Sequence, residues 1–218
     1  IQHSAITLPL VRSESSGGHT SPFKVAAEMH ADNASPPYFL VVDLEATCSD
    51  DRVAVPRDQM EIIEIGAVMI HGRTHSALSE FQNFVRPVRN PALTEFCREL
   101  TGIAQSEVDA ALGYKDVLSK FVEWFSTYQD CLFCSWGDYD RWQFERDTAY
   151  HGVAYPFASG NLNLKDSYAR KRGLRRGRGL SDVLEAEGIR FEGRPHRGID
   201  DARNIAKLLP LLVGESES

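Results

Sequence analysis

Two acids close the first strongly apolar run of the chain. YFLVVDLEA carries Asp43 and Glu45 two residues apart, and in a strand alternate side chains share a face, so both carboxylates leave the same side. At about 4 Å and an effective dielectric of about 20 such a pair repels by roughly 4 kcal/mol, an energy whose sign a divalent cation reverses. Solvated acids that merely end a strand are the plain alternative. Two later segments repeat the theme. Trp136-Gly137-Asp138-Tyr139-Asp140 places two acids where a helix should begin, and Gly193-Arg194-Pro195-His196-Arg197-Gly198-Ile199-Asp200-Asp201 sets a histidine before, and two acids within, the first turn of another. Acids at helix starts are ordinary caps and dipole partners, and a single histidine is usually a polar residue with nothing to ligate. Each residue therefore has a dull explanation when taken alone.

The elements that would position these residues follow from periodicity. Tyr38 to Leu44 is continuously apolar, the pattern of a central strand buried on both faces. Glu61 to Ile70 and Ala77 to Val85 read as two further strands, with the polar turn His71 to His75 between them. Helical patterns are expected at 106 to 111 and 114 to 127, a short strand at 131 to 135, and helices near 138 to 151, 163 to 172, 180 to 187 and 198 to 212. Strands first, then helices around one more strand, indicate a mixed α/β sheet. No glycine-rich phosphate loop follows a strand, which counts against the common nucleotide-cofactor folds.

Composition bounds the function. At 218 residues the chain suits one sizeable core plus a tail. The formal charge of -7 opposes wholesale attraction to a polyanion, so any nucleic-acid surface must be local. A candidate is the basic stretch Lys165, Arg170, Lys171, Arg172, Arg175, Arg176 and Arg178, broken by Gly173, Gly177 and Gly179 into a loop between helices, with only Asp166 opposing it. Cys131 and Cys134 have C-x-x-C spacing, but no second pair accompanies them and a strand would aim them at opposite faces, so neither zinc nor a disulfide framework is expected. No apolar run reaches the ~20 residues of a membrane span, and with reduced thiols this gives an expectation of a cytoplasmic protein without membrane contact. Residues 1 to 37, rich in Ser, Gly, Ala and Pro, read as an N-terminal extension, flexible or wrapped on the domain through Phe23 and the helix-like Lys24 to Met29. It also offers a docking segment for a protein partner, with no motif to say which. The domain is expected over 38 to 213 and a tail over 214 to 218.

The order of the three segments is more specific than any one of them. Asp-x-Glu on the first strand, Asp after the fourth strand and His-x-x-x-x-Asp near the C-terminus resemble the DnaQ-like 3′-to-5′ exonucleases of the DEDDh subgroup. VVDLEATC (41 to 48), EIIEIGAV (61 to 68), LTEFCRELTGI (93 to 103), WGDYD (136 to 140) and GRPHRGIDDARNIA (193 to 206) are similar to the eukaryotic-type branch that trims histone messages and small RNAs. The similarity runs from about 38 to 212.

The resemblance implies an α/β RNase H-like fold, a mixed five-stranded sheet flanked by helices. It implies that Asp43, Glu45, Asp140 and Asp201 hold two Mg²⁺ or Mn²⁺ ions, for which carboxylate oxygens are suitable ligands, and that His196 acts as general base. Asp138 competes with Asp140, and Asp200 with Asp201. His-x-x-x-x-Asp spacing selects Asp201, and the apolar Phe144 one turn after Asp140 matches the family pattern for the ligand. The implied substrate is a single-stranded RNA or DNA with a free 3′ end, RNA being favoured by resemblance, hydrolysed to nucleoside 5′-monophosphates. The implied substrate contacts are Leu44, Ala46 and Thr47 around the first acids and Phe96 and Tyr139 sandwiching the terminal base. Arg175, Arg176 and Arg178 of the basic loop join them as candidate phosphate contacts.

Overall fold

The computed structural model describes residues 35 to 158 and 160 to 213. All but the last three residues of the expected extension, including Phe23 and Lys24 to Met29, and the tail 214 to 218 lie outside the described residues. Five strands form one sheet: β1 (Tyr38–Ala46), β2 (Ile62–His71), β3 (Ala77–Phe84), β4 (Cys131–Ser135) and β5 (Asn161–Asn163), in the order β3-β2-β1-β4-β5. The first three are antiparallel neighbours, whereas β4 runs parallel to both β1 and β5. The helices are α1 (Glu95–Thr101), α2 (Gln105–Ala110), α3 (Tyr114–Phe125), α4 (Tyr139–His151), α5 (Leu164–Lys171), α6 (Leu180–Ala186) and α7 (Gly198–Val213).

β1 is apolar throughout because it is central and covered on both sides. Leu40, Val42 and Leu44 join one core with Val117 and Phe121 of α3 and Phe144 of α4, while Phe39 and Val41 join another with Ile199, Ala202 and Ile205 of α7. The alternation continues into the acids: Asp43 and Glu45 are in phase with Phe39 and Val41 and therefore face α7. Cys131 and Cys134 fall in these two different cores and both are free thiols. Two elements were not legible in the sequence. β5 has only three residues and takes its pairing from β4; α1 is short, capped by the Thr94 side chain on Cys97 N and ended by Gly102 at φ +69°, and its apolar positions are too few to set a period. Among the described residues, no helix is long and apolar enough to cross a membrane.

Candidate active site

The site is made by bringing α7 unusually close to β2. A Cβ at Gly66 would fall inside the backbone of Gly198, and one at Gly198 would strike Asp43 O and Gly66 N. Only two glycines let helix and sheet approach this far, and the approach sets Asp201, in the first turn of α7, against the two strand acids. One carboxylate oxygen each from Asp43, Glu45 and Asp201 lie within 4.8 Å of one another. Asp140 enters from the first turn of α4, where its Oδ1 accepts the Leu44 N–H at 3.0 Å. That bond ties α4 to the residue between the two strand acids.

Four carboxylates in one place raise each other's proton affinity. Burial, then the neighbouring Asp140, Glu45 and Asp201, hold Asp43 well above the ordinary carboxylate range. Burial and Asp201, followed by Glu64, do the same to Glu45. Asp140 is pushed up to about 7 by burial, against the pull of the Leu44 N–H. Asp201 is pushed up to about 6, again by burial, with the backbone N–H groups of His196 and Arg197 opposing. Among the described residues none of the four has a salt-bridge partner. An all-oxygen set of buried, mutually repelling acids with no protein cation fits a hard divalent ion.

Asp138 and Asp200, the competing acids, are employed elsewhere. Asp138 stands just before α4, where its carboxylate lies near Arg141 and accepts from Asn163 Nδ2 at 3.2 Å; Asp200 accepts from Arg194 N and from Arg203. His196 is exposed, lines the same cleft as the acids and has φ +63°, a left-handed backbone that a non-glycine residue adopts only under constraint. The constraint is visible: His196 N donates to Asp201 Oδ2 at 2.7 Å, and Asp201 N donates back to Arg197 O at 2.8 Å.

The cleft, about 320 Å³, is lined by Leu44, Ala46, Tyr139 and His196 beside the acids. It shares Cys48, Met60, Leu100 and Tyr139 with an adjoining cavity of about 530 Å³ that adds Phe96 and Trp142. Phe96 and Tyr139 thus line one cavity. Thr47 lines neither cavity: it is 1% exposed and its hydroxyl accepts Glu61 N–H at 2.9 Å, just beyond the ends of β1 and β2. Arg175, Arg176 and Arg178 lie exposed on the loop between α5 and α6 and line neither cavity. That loop ends at the cleft, where Leu180 opens α6, and Trp136 Nε1 donates to Arg178 O at 3.1 Å. Arg172 of the same basic stretch is bound to Glu187, which the sequence had left without an assigned partner.

Several site residues escaped sequence reasoning. Met60, Leu100 and Trp136 line the cleft, but isolated apolar residues carry no signal of which cavity they face. Glu64, fully buried, pairs in register with Glu45 and accepts from Arg197 Nε at 3.1 Å, Gly198 N at 3.2 Å and Gln82 Nε2 at 2.7 Å. Its Oε2 anchors the start of α7, while its Oε1 is held by Gln82 of β3. The legible signal was an acid inside the apolar run EIIEIGAV, a position that tolerates a charge only when it is paired.

Residues 40 to 209 match the family model described as Exonuclease, RNase_T. Human ERI1 exoribonuclease 2 is 34% identical over 196 residues, covering 78% of this chain and 28% of that protein. Rat 3′-5′ exoribonuclease 1 is 34% identical over 180 residues, covering 78% and 51%. The chain therefore spans between about a quarter and a half of the length of these relatives. The crystal structure of the nuclease domain of 3′hExo, a DEDDh family member bound to rAMP, superposes with a TM-score of 0.76 at 32% identity, covering 82% of this chain and 94% of that one.

Proposed function

The chain belongs to the RNase_T exonuclease family, and from that premise we propose that it is a 3′-to-5′ exonuclease acting on the free 3′ end of single-stranded nucleic acid, RNA in preference to DNA. The observation that carries this is the cluster of Asp43, Glu45 and Asp201 oxygens within 4.8 Å, joined through backbone hydrogen bonds to the loop that presents His196. The DEDDh family is divalent-metal dependent. We assign Asp43, Glu45, Asp140 and Asp201 as the ligands of two Mg²⁺ or Mn²⁺ ions. Bound there, the ions would supply Lewis-acid charge to the scissile phosphate and lower the pKa of the attacking water.

The protein's own groups do the rest. His196 takes the proton of the water as it attacks phosphorus; the bond to the 3′ oxygen of the preceding nucleotide breaks, and a nucleoside 5′-monophosphate leaves. Phe96 and Tyr139 stack on the terminal base, a contact tolerant of base identity, while Leu44 and Ala46 pack against its sugar. Arg175, Arg176 and Arg178, exposed beside the Leu180 rim, meet the phosphates further along the strand. The RNA preference is supported by the relatives, named exoribonucleases, and by the rAMP bound to the similar nuclease domain. A cytoplasmic location belongs to the same proposal, supported by the four free thiols.

End-labelled RNA and DNA strands incubated with Mg²⁺ or Mn²⁺ should shorten stepwise from the 3′ end, faster for RNA, and EDTA or Asp43→Asn should abolish the ladder. An unchanged ladder in Asp43→Asn would remove the assignment.

A further inference from the structure

The two walls of the site are separate elements. One is α1, which supplies Phe96 and Leu100 to the cavities; the other is the loop 193 to 197, which supplies His196. Among the described residues, one hydrogen bond joins them: Arg194 Nη2 donates to Glu99 O at 2.8 Å. Glu99 lies in the last turn of α1, whose carbonyls have no partner within the helix. The guanidinium also fills the space beside Gly102, the left-handed residue that ends α1, where a Cβ would collide with it. At its own end Arg194 is rigidly set, since its N–H donates to Asp200 Oδ2 at 3.0 Å after the turn at Gly193, φ +86°. Two residues further on, His196 has its left-handed backbone.

We infer that Arg194 is a positioning residue that couples a base seated on Phe96 and Leu100 to the placement of His196. The inference rests on the exonuclease reading of the same site. The physical content is that α1 is only two turns long and its end is held from outside. A stacked base adds to the contacts that keep α1 in place, α1 in place keeps the carbonyl of Glu99 where Arg194 can reach it, and the loop then holds the imidazole at the attacking water. Without the base that support is weaker, and without the guanidinium it is gone. Arg194 is itself exposed and touches none of the four acids.

The test compares strands that end in an ordinary 3′ nucleotide with strands whose terminal residue lacks its base, at saturating concentration so that kcat is read apart from KM. In the unaltered chain the abasic end should lower kcat as well as raise KM. Arg194→Met should lower kcat on the ordinary end by roughly three- to tenfold, leave kcat on the abasic end nearly unchanged, and so bring the ratio of the two toward one. Arg194→Lys, which can still reach one carbonyl, should restore part of that ratio. Calorimetric Mn²⁺ affinity should match the unaltered chain, and the melting temperature should fall by no more than about 2 to 4 °C, the loss of one hydrogen bond. An Arg194→Met enzyme that keeps the original kcat ratio, or that loses Mn²⁺ affinity in step with kcat, overturns the coupling while leaving the exonuclease reading intact. An unaltered chain that shortens neither strand overturns both.

Discussion

Removal of the metal should make this fold lose stability as the pH rises through neutrality, opposite to the usual behaviour of carboxylates that are paired in the native state. Asp140 stands at about 7 and Asp201 at about 6 in the metal-free fold, against an ordinary value of 3.8, and Asp43 and Glu45 are also raised. A carboxyl that binds its proton more tightly when folded contributes stability that is complete below about pH 4 and is lost as the pH climbs through the folded value. Each tenfold change in acidity is worth about 1.4 kcal/mol. Ionising Asp140 alone therefore costs the metal-free fold on the order of 4 kcal/mol, and Asp201 on the order of 3 kcal/mol. The two do not add fully, because discharging one acid relieves the other. For a chain of this size about 4 kcal/mol corresponds to roughly 8 to 16 °C of melting temperature. Calorimetric melting in EDTA between pH 4 and 8 should show that decline, and saturating Mg²⁺ at pH 8 should abolish it. Asp140→Asn keeps an oxygen for the Leu44 N–H and removes the charge, so its metal-free form should melt higher than the unaltered chain at pH 8 and respond less to Mg²⁺. A metal-free melting temperature that is flat or rising over this interval, or an Asp140→Asn protein less stable at pH 8, would refute the electrostatic account.

Three further outcomes are expected. His196→Ala should lower kcat by roughly 10² to 10⁴ while calorimetric Mn²⁺ affinity stays within about twofold, since the imidazole is not among the proposed ligands. Phe96→Ala and Tyr139→Ala should each weaken binding of a single-stranded end by about 1 to 3 kcal/mol, read as a rise in KM that is similar for all four terminal bases, with kcat falling as well in Phe96→Ala. Gly66→Ala forces a methyl group into the backbone of Gly198; it should cost at least about 1 to 3 kcal/mol in denaturant unfolding and lower Mn²⁺ affinity as well, because α7 must carry Asp201 away from the strand acids.

Much of the architecture was legible because its pattern is local. The run from Tyr38 to Leu44 announces a central strand, and the strict alternation in it places Asp43 and Glu45 on one face before any tertiary contact is known. Chain order and His-x-x-x-x-Asp spacing likewise selected Asp201 over Asp200. Periodicity located α3, α4 and α7 to within two residues at their ends. Elements whose stability comes from a neighbour were missed: β5 exists through pairing with β4, and α1 through a cap and a glycine stop.

Distances between remote segments were the province of the tertiary structure. No spacing rule says that Gly66 and Gly198 let a helix settle on a strand, that Glu64 is committed to Arg197 and Gly198, or that Arg194 crosses to Glu99. The same holds for what individual residues are bound to: Glu61 N–H claims the hydroxyl of the buried Thr47, and Arg172 is taken up by Glu187. The sequence by itself determined which residue types could gather an ion and in what order they occur, since that information lies in side-chain chemistry and in strand and helix periods. Which of them converge, and how strongly each is pushed from its ordinary protonation, depends on burial and on charges far away in the chain, quantities that exist only once the helices have closed on the sheet.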